Sequence, residues 1–524
     1  MLCGWLFCLW SAPAERRGDG AFLLVREALK RNPKAPSRFA LPAHSKLFMK
    51  STILKFGGTS VEDANAFRNV ATIVKSVANE RPVIVVSAIG GFTNALVASV
   101  EKAIGGDARA AIRSLDRDFE RHLAIAGELL NKESGAEFVS IIADARGKIR
   151  QLHKIIASHP VTSPPLQDEI VAYGEQLSAQ LLVMVLRENG LPARYVDARS
   201  CIKTDENYGS AAPVSETAAA TRMELSPLIE GSKIPVLGGF IASTERGVTT
   251  TLGRGGSDYS AALVGAALEA REIQIWTDVS GVLTADPRVV PTAQTIPVLS
   301  YQEAAELAYF GAKVLHPKTI QPAVDESIPV RVCNSRAPEN PGTLIVSESE
   351  ATPQTIKAIA HKNGITTVQV TSARMLGAYG FLRALFEVFD CHRTAVDVVT
   401  TSEVSVSLSI DDVSALPELI PDLQRLGTVE VEAGRTIVSI VGDGLRNTPG
   451  IAARLFSAIS DINVSMISFG SSSVNLTFMV DEAHAHEAIK RLHWECFEVG
   501  ASEDRVDRVV EDVGVKNVIE TVSI

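Results

Sequence analysis

Residues 52–60 read Thr52-Ile53-Leu54-Lys55-Phe56-Gly57-Gly58-Thr59-Ser60, and this stretch decides the fold class. Its first five residues predict a buried strand, and the two glycines predict a tight turn. Apolar residues then recur at helical spacing from Val61 to Asn79, and Pro82–Ser87 predicts a second buried strand. Strands that alternate with helices predict an α/β protein, with an open, mainly parallel sheet covered by helices on both faces.

The same alternation continues to about residue 346. Further strands are expected at Ile234–Phe240, Ile273–Thr277 and Val330–Cys333, and helices at Ile170–Asn189, Ser257–Glu269 and Gln302–Lys313. Residues 347–354 are polar and contain a proline, which is typical of a linker. We therefore expect residues 49–346 to form one large domain.

The last third of the chain contains an internal repeat. Each copy predicts a strand, a helix and two more strands, and the helix starts at Gly380 in the first copy and at Gly450 in the second. Asp397 in the first copy is matched by Ser465 in the second. The repeat predicts two small domains, residues 355–435 and 436–510, and residues 511–524 are long enough to return and complete one of their sheets.

Residues 1–48 differ in composition from the rest. The first 50 residues carry nine Lys or Arg and three acidic residues, so the remainder holds a net charge of −16 although the whole chain has −10. We expect this extension to lie outside the fold. The favoured explanation is an upstream start with Met49 as the true first residue, which implies a cytoplasmic protein; a transit peptide would instead imply a plastid.

Composition excludes several classes of protein. The chain is 46% hydrophobic and 21% charged, as folded soluble proteins are, and no apolar run approaches the ~20 residues of a membrane-spanning helix. The acidic balance argues against a nucleic-acid partner. Six cysteines form no CxxC pair, so we expect a reducing compartment. Ten scattered histidines give no ligand pattern, so no side-chain metal site is expected.

Four glycine-containing loops are candidates for ligand binding. They are Lys55–Ser60, Ser87–Asn94, Leu252–Asp258 and Trp276–Leu283, the last followed by Asp286-Pro287-Arg288. Free amides at a helix start favour an anion, and an arginine among glycines suits a carboxylate or phosphate. Several of these loops follow predicted strands, so they should meet at the edge where open α/β sheets bind ligands.

These motifs together resemble those of the aspartate kinases in the amino acid kinase family. The matching segments, in order, are KFGGTS (55–60), SAIGGFTN (87–94), TTTLGRGGSDYSAAL (249–263), WTDVSGVLTADPR (276–288) and FGAKVLHPKT (310–319). The two repeats resemble the ferredoxin-like βαββαβ ACT domains that follow such kinases. The resemblance implies phosphorylation of the β-carboxylate of L-aspartate by ATP with Mg²⁺, the entry to lysine, threonine and methionine synthesis. It also implies a homodimer formed through the ACT domains.

The resemblance assigns the phosphoryl-transfer residues. Lys55 would contact the transferring group together with the amides of Gly57 and Gly58, and Asp258 would orient Lys55 or the substrate amine. A carboxylate is already a nucleophile at pH 7, so positioning and cationic stabilisation should dominate catalysis.

The substrate and nucleotide sites follow in the same way. Arg254 would hold a substrate carboxylate, with Ser257 and Thr93 nearby, and Glu175 would bind the substrate ammonium. The residues implied for the nucleotide are Thr277, Asp278, Leu283, Arg288 and Lys313, besides Lys55 and the two glycines. Leu283 stands where the family often has Tyr, so an aromatic contact to the nucleotide is in question.

Two segments of the first repeat resemble the lysine-binding segments of lysine-sensitive aspartate kinases. The effector residues implied are Met375, Ala378, Gly380, Phe381, Leu382, Asp397, Ser402, Glu403 and Val404. The helix start at Gly380 could take the effector carboxylate, and Asp397 could take an ammonium. Because the second copy has Ser465 in that place, a basic amino acid should prefer the first, and we expect lysine rather than threonine to be the inhibitor.

Two alternatives stay open at this point. One is a related kinase acting on glutamate, acetylglutamate or a nucleotide, against which the Leu252–Asp258 motif and the paired repeats argue. The other is a non-catalytic amino-acid sensor, against which Lys55, Arg254 and Asp258 argue. A fusion to homoserine dehydrogenase is not expected, because the repeats leave too little chain for another dinucleotide-binding domain.

Overall fold

The computed structural model describes residues 50–159, 163–311, 315, 317–347, 355–377 and 379–498. Several sequence predictions fall outside these ranges and stay predictions: the extension 1–48, Lys313, residues 348–354, Ala378 and residues 511–524.

The described strands are β1 (Thr52–Phe56), β2 (Val83–Val86), β3 (Ala193–Val196), β4 (Lys203–Thr204), β5 (Ile234–Gly238), β6 (Ile241–Thr244), β7 (Thr249–Thr251), β8 (Glu272–Thr277), β9 (Val298–Ser300), β10 (Val330–Asn334), β11 (Thr343–Val346), β12 (Ala358–Thr371), β13 (Val399–Thr401), β14 (Ser405–Ile410), β15 (Thr428–Val441), β16 (Val464–Phe469) and β17 (Asn475–Asp481).

The described helices are α1 (Ala64–Ser76), α2 (Phe92–Ile104), α3 (Ala108–Arg113), α4 (Asp116–Leu129), α5 (Lys132–Ser158), α6 (Pro164–Val171), α7 (Tyr173–Glu188), α8 (Ala198–Cys201), α9 (Glu216–Glu230), α10 (Gly256–Ala267), α11 (Tyr301–Tyr309), α12 (Pro317–Asp325), α13 (Phe381–Cys391), α14 (Leu416–Gln424), α15 (Ile451–Ala458) and α16 (Glu482–His493).

The main sheet has eight strands in the order β3-β5-β2-β1-β8-β10-β11-β9. Neighbours from β3 to β10 are parallel, and only the β10–β11 pair is antiparallel. Leu54 and Phe56 pack into the apolar cluster on one face, and Ile53 packs into the cluster on the other. All of β1 and β2 is buried because both faces are covered, as the apolar runs predicted.

Helix ends depart from the predictions in three places. The Asp63 side chain accepts from Ala66 N, so α1 starts at Ala64, not Val61. The helix predicted from Ile170 is two helices, and the first begins at Pro164 because proline suits the first turn. The helix predicted to reach residue 313 ends at Tyr309, and Gly311 follows with φ +120°.

The C-terminal part forms one six-stranded sheet in the order β13-β14-β12-β15-β17-β16. Strands β12 and β15 are 14 residues long and pair antiparallel along most of their length. The second half of β12 also pairs with β14, whereas the second half of β15 pairs with β17. Each long strand therefore serves two units.

The helices divide into two groups in the same way. Helices α13 and α14 cover an apolar cluster with the second half of β12, and α15 and α16 cover another with its first half and with the second half of β15. Each unit is a βαββαβ arrangement, as predicted. The predicted boundary after residue 435 falls inside β15, and the fourth strand of the second unit is the first half of β12.

Candidate functional site

Lys55 lies near the carboxyl end of β1, in the middle of the main sheet. Its ammonium nitrogen Nζ is 2.6 Å from Asp258 Oδ1, and the two side chains are 11% and 17% exposed. A charged group that is mostly removed from water needs such a partner. The structure therefore fixes one cation at the strand end where anionic ligands are expected.

Three loops meet around this ammonium. Gly57 N donates to the Trp276 carbonyl at 3.0 Å, and Gly90 N donates to the Gly58 carbonyl at 3.1 Å. A Cβ on Gly58 would lie 2.9 Å from the Ala88 carbonyl oxygen, so glycine permits the close approach. The loops after β1 and β2 and the end of β8 thus form one edge of backbone, as their strand ends predicted.

The start of α10 supplies the opposite wall. Gly255 precedes the helix with φ +73°, and Ser257 and Asp258 lie in its first turn. Gly239, after β5, packs so closely on this turn that a Cβ there would lie 2.7 Å from the Ser257 Cβ. Arg254 is exposed beside the same turn. The start of α10 therefore brings Arg254, Ser257 and Asp258 to the edge that carries Lys55.

Glu175 is a buried carboxyl group in the first turn of α7. Its Oε1 accepts from Thr93 Oγ1 at 3.4 Å, and its Oε2 accepts no hydrogen bond from a described residue. Burial raises the pKa of Glu175 to about 8, although hydrogen bonds from Ala88 and Thr93 oppose the rise. Such a group gains most from a ligand that brings a positive charge.

A cleft of about 550 Å³ contains most of these side chains. Its lining includes seven predicted site residues, which are Lys55, Gly58, Thr93, Glu175, Arg254, Ser257 and Asp258. One cleft thus combines amides, cations and a buried acid, which suits a zwitterionic amino acid beside a phosphate.

A second cavity, of about 660 Å³, is lined by four residues predicted for the nucleotide, Thr277, Asp278, Leu283 and Arg288. The Arg288 guanidinium lies 2.6 Å from Asp286 Oδ2, and this contact holds the pKa of Asp286 below its ordinary value. The Arg288 side chain is 88% exposed and can turn toward a ligand. The structure therefore separates the predicted site into a substrate cleft and a neighbouring cavity.

The sequence did not predict the far wall of the second cavity. That wall comes from the first half of β12, Ile359 to Asn363, together with Leu307 and Gly311. A Cβ on Gly311 would overlap the His361 carbonyl oxygen, so the end of α11 is in close contact with β12. No local motif marks this strand, because it belongs to the repeats.

Two supporting residues were also missed. Arg121 donates through Nη1 to the Gly90 carbonyl at 2.7 Å and through Nη2 to the Glu62 carbonyl at 2.6 Å. Asp168 accepts from the amides of Gly209 and Thr251, each at 2.9 Å. Both hold loops of the cleft. Neither lies in a glycine motif, so only the fold reveals them.

The two predicted effector segments lie side by side, because Ser372 N donates to the Val404 carbonyl at 2.7 Å. Gly380, with φ +83°, precedes α13, so Phe381 and Leu382 lie in its first turn. Asp397 already has partners within the chain, Lys362 at 2.9 Å and the Tyr309 hydroxyl at 2.5 Å.

The remaining predicted effector residues are placed as follows: Met375 packs against the α13–α14 cluster, Ser402 Oγ lies 2.7 Å from Ser405 Oγ, and Glu403 and Val404 are exposed.

The described residues contain neither a membrane-spanning helix nor a group of metal ligands. None of the helices is long and apolar enough to cross a membrane. In the same ranges, no three His, Cys, Asp or Glu side chains converge as they would around a metal ion.

Comparisons with known proteins agree with this architecture. The model of the amino acid kinase family matches residues 50–334, and a model of the ACT domain matches residues 438–495. Lysine-sensitive aspartokinase 3 of Escherichia coli is 38% identical over 457 residues, which is 85% of this chain and 99% of that protein. Chloroplastic aspartokinase 2 of Arabidopsis thaliana is 38% identical over 464 residues, or 85% and 84% of the two chains.

Solved structures are similar over the same span. Aspartokinase III of E. coli, in complex with aspartate and ADP, has a TM-score of 0.73 at 38% identity and is matched over 86% of this chain and 100% of that one. Its complex with lysine and aspartate gives the same TM-score at 39% identity. Aspartate kinase from Clostridium acetobutylicum has a TM-score of 0.74 at 28% identity, over 85% and 100% of the two chains.

Proposed function

This chain belongs to the aspartokinases of the amino acid kinase family, and from that premise we propose that it transfers the γ-phosphoryl group of ATP to the β-carboxylate of L-aspartate. The product is 4-phospho-L-aspartate, the entry to lysine, threonine and methionine biosynthesis. The observation that carries this proposal is the cleft in which the Lys55–Asp258 ion pair and the buried Glu175 carboxyl face the glycine loops.

Each side chain has a distinct task in this reaction. Glu175 binds the aspartate ammonium, which supplies the positive charge that its unsatisfied oxygen lacks. Arg254 holds the substrate α-carboxylate as a fork, with Ser257 and Thr93 beside it. The β-carboxylate is then directed toward the phosphoryl group. No general base is needed, because the nucleophile is already ionised.

Charge stabilisation accounts for most of the rate in this scheme. Lys55 moves from Asp258 toward the transferring phosphoryl group, and the amide of Gly58 donates to its oxygens. The Gly57 amide, which the sequence also predicted as a donor, already donates to the Trp276 carbonyl. Asp258 holds the Lys55 ammonium in position. Thr277, Asp278, Leu283, Arg288 and Lys313 hold the nucleotide. Mg²⁺ would be carried by the nucleotide and would supply neutralisation of the polyphosphate charge.

Regulation belongs to the same proposal. Lysine binds at the first repeat through Asp397 and the start of α13 and inhibits the kinase. E. coli aspartokinase III, whose structure in complex with lysine and aspartate is similar to this chain, supports this assignment. The second repeat has Ser465 in place of Asp397 and lacks that negative charge.

We propose further that two chains associate through their first repeats. Apolar side chains there are exposed, including Leu376 at 67%, Tyr379 at 103% and Phe386 at 40%. Apolar side chains grouped this way mark an interaction surface. As a compartment we propose the cytoplasm, or a plastid if residues 1–48 direct import, since relatives include a bacterial and chloroplastic enzymes.

One coupled assay tests the function. ATP turnover is measured with L-aspartate or L-glutamate as the acceptor, and lysine or threonine is added to each. We expect turnover with aspartate and inhibition by lysine. Preference for glutamate would reject the substrate, and loss of turnover with all acceptors in a folded chain would favour an amino-acid sensor.

A further inference from the structure

Helix α11 of the kinase domain is bound to the regulatory sheet by three polar side chains. Glu303 Oε2 lies 3.0 Å from Lys357 Nζ, with both side chains buried. Glu306 Oε2 accepts from Asn475 Nδ2 at 2.6 Å, and the Tyr309 hydroxyl donates to Asp397 Oδ1 at 2.5 Å. Glu303, Glu306 and Tyr309 follow one another at intervals of three residues, so their side chains are neighbours on the helix surface.

The last of these contacts is part of a small charged cluster. Lys362 Nζ lies 2.9 Å from Asp397 Oδ2 and 2.7 Å from Asp411 Oδ2, and 5.4 Å from the centre of the Tyr309 ring. The Asp397 side chain is only 5% exposed. Both of its carboxylate oxygens are therefore engaged from within the chain.

The chemistry of this cluster matches that of the proposed effector. Lys362 offers Asp397 a primary ammonium on a four-carbon stem, which is the group that free lysine carries. Burial alone would lower the pKa of Lys362, but hydrogen bonds to Asp411 and Asp397 outweigh it and raise the pKa, so the ammonium stays charged. Because only 5% of the Asp397 side chain is exposed, a second ammonium reaches this carboxylate only by displacing the groups that cover it.

One residue of this cluster, Lys362, also borders the second cavity. His361 and Lys362 of β12 line it, together with Leu307 of α11 and Gly311, which follows that helix. A change at the Tyr309–Asp397–Lys362 cluster therefore displaces two walls of that cavity directly.

We propose that Tyr309 and Lys362 are internal competitors of the effector: they occupy Asp397 in the uninhibited chain, and the effector ammonium inhibits by replacing them. The released end of α11 and the β12 wall then reshape the second cavity. This inference rests on the proposed regulation by lysine and adds the residues through which it acts.

The test is calorimetric titration of L-lysine into the full-length chain without nucleotide. If the competition exists, removing a competitor tightens lysine binding. Tyr309→Phe keeps the ring and loses one hydrogen bond, so its dissociation constant should fall about two- to tenfold. Lys362→Met should give a larger fall, because Asp397 and Asp411 then lack their shared cation. Asp397→Asn should abolish binding.

The matched control is Asn475→Ala, which opens another contact of α11 without touching Asp397. Its lysine affinity should stay within about twofold of the wild type. Unchanged or weaker lysine binding in both competitor variants would overturn the proposal, and so would equal tightening in Asn475→Ala. Thermal melts confirm that each variant is folded.

The experiments distinguish a failure of the proposed reaction from a failure of the proposed competition. Absence of aspartate-dependent turnover in the wild type would reject the proposed reaction, while the lysine titration, which needs no turnover, would still decide the competition. A wild type that phosphorylates aspartate and binds no lysine would overturn the proposed regulation and this inference with it, and would leave the proposed reaction standing. A wild type that binds lysine with unchanged affinity in both competitor variants would overturn this inference alone.

Discussion

Glu175 and Lys55 are two ionisable groups that solve opposite problems in one cleft. Lys55 is charged and has a carboxylate partner 2.6 Å away. Glu175 is buried with one oxygen that accepts no hydrogen bond from the described residues, and burial raises its pKa to about 8. The Lys55 ammonium can thus bind a phosphate, whereas the Glu175 carboxyl group becomes ionised when an ammonium binds beside it. Both properties lead to measurable effects.

Glu175→Gln should make the free enzyme more stable at pH 8. A carboxyl group whose pKa rises from 4.5 unfolded to about 8 folded favours folding only while it is protonated, so wild-type stability falls between those two pH values. The gain should be on the order of a few kcal/mol at pH 8 and vanish near pH 4.5. Denaturant unfolding across this range measures it.

The exposed residue Glu120 on α4 provides the control for this measurement. Glu120→Gln should leave the pH dependence of unfolding unchanged. A stability gain in Glu175→Gln that is the same at pH 5 and pH 8 would contradict the raised pKa. The same variant should also lose at least about tenfold in kcat/KM for aspartate, because a neutral amide attracts an ammonium less strongly.

Lys55→Ala should lower aspartate-dependent kcat at least about 100-fold, because a preorganised cation at the transferring group disappears. Steady-state kinetics measure the loss, and Lys75→Ala, an exposed lysine on α1, is the control. Near-normal turnover in a folded Lys55→Ala chain would remove the proposed role of Lys55.

Sequence alone predicted the residues of this cleft better than it predicted their surroundings. Lys55, Arg254 and Asp258 lie in glycine-rich motifs, so their types and spacing could be read directly. Arg121 and Asp168 act through backbone groups of distant loops. Such contacts depend on which loops the fold brings together, and the sequence does not state that.

At the scale of elements, the start of α10 depends on space as much as on charge. The turn after β5 packs on Ser257 through Gly239, and it leaves no room for a side chain. The helix therefore delivers Arg254 and Asp258 to the cleft only when this contact is close. Both elements that this contact joins, β5 and α10, were predicted from the sequence.

Gly239→Ala should lower kcat/KM for aspartate by at least about tenfold, because the new methyl displaces the first turn of α10 from Lys55. The unfolding free energy should fall by about 1–3 kcal/mol, as for other overpacked sites. Gly127→Ala on α4 is the control, since a Cβ there meets nothing within 4 Å and alanine favours helix. Equal kinetics in wild type and Gly239→Ala would show that the cleft tolerates the shift.

The elements themselves were largely predictable, and their ends were not. Buried apolar runs and helical periodicity identified β1, β2 and α10. The end of α11 at Tyr309 depends instead on the close contact between Gly311 and His361. The capping residue Asp63 and the helix start at Pro164 can be recognised in the sequence. The longer apolar patterns nevertheless predicted different helix starts, at Val61 and Ile170.

At the scale of the whole molecule, the exposed apolar groups of the first repeat predict the oligomeric state. Phe386→Glu places a charge on the face of α13 that also carries Leu382, four residues earlier. A charge there should prevent close packing of a second copy, so light scattering after gel filtration should shift from twice the chain mass to the chain mass. Met223→Glu, at a more exposed apolar site on α9, should leave the wild-type mass unchanged. A dimeric Phe386→Glu chain would exclude this surface.

The two types of fold and their order along the chain were predicted, but the way in which the two repeats share strands was not. Each copy contains a complete local pattern, whereas β12 and β15 pair along most of their length although 56 residues of chain lie between them. Pairing between strands so far apart in the sequence does not alter the spacing of apolar residues within either strand. The wall that β12 adds to the second cavity was not predicted for the same reason.

The shared strands also limit how such a duplication can evolve. A second copy that carries Ser465 in place of Asp397 is free to drift in ligand chemistry, and gene deletion would ordinarily remove it at little loss. Here any excision between the copies would cut β12 or β15 in half and strip the surviving unit of its fourth strand. The duplicate is therefore retained as scaffolding even if it has no ligand of its own, and recombination can exchange the pair only as a whole.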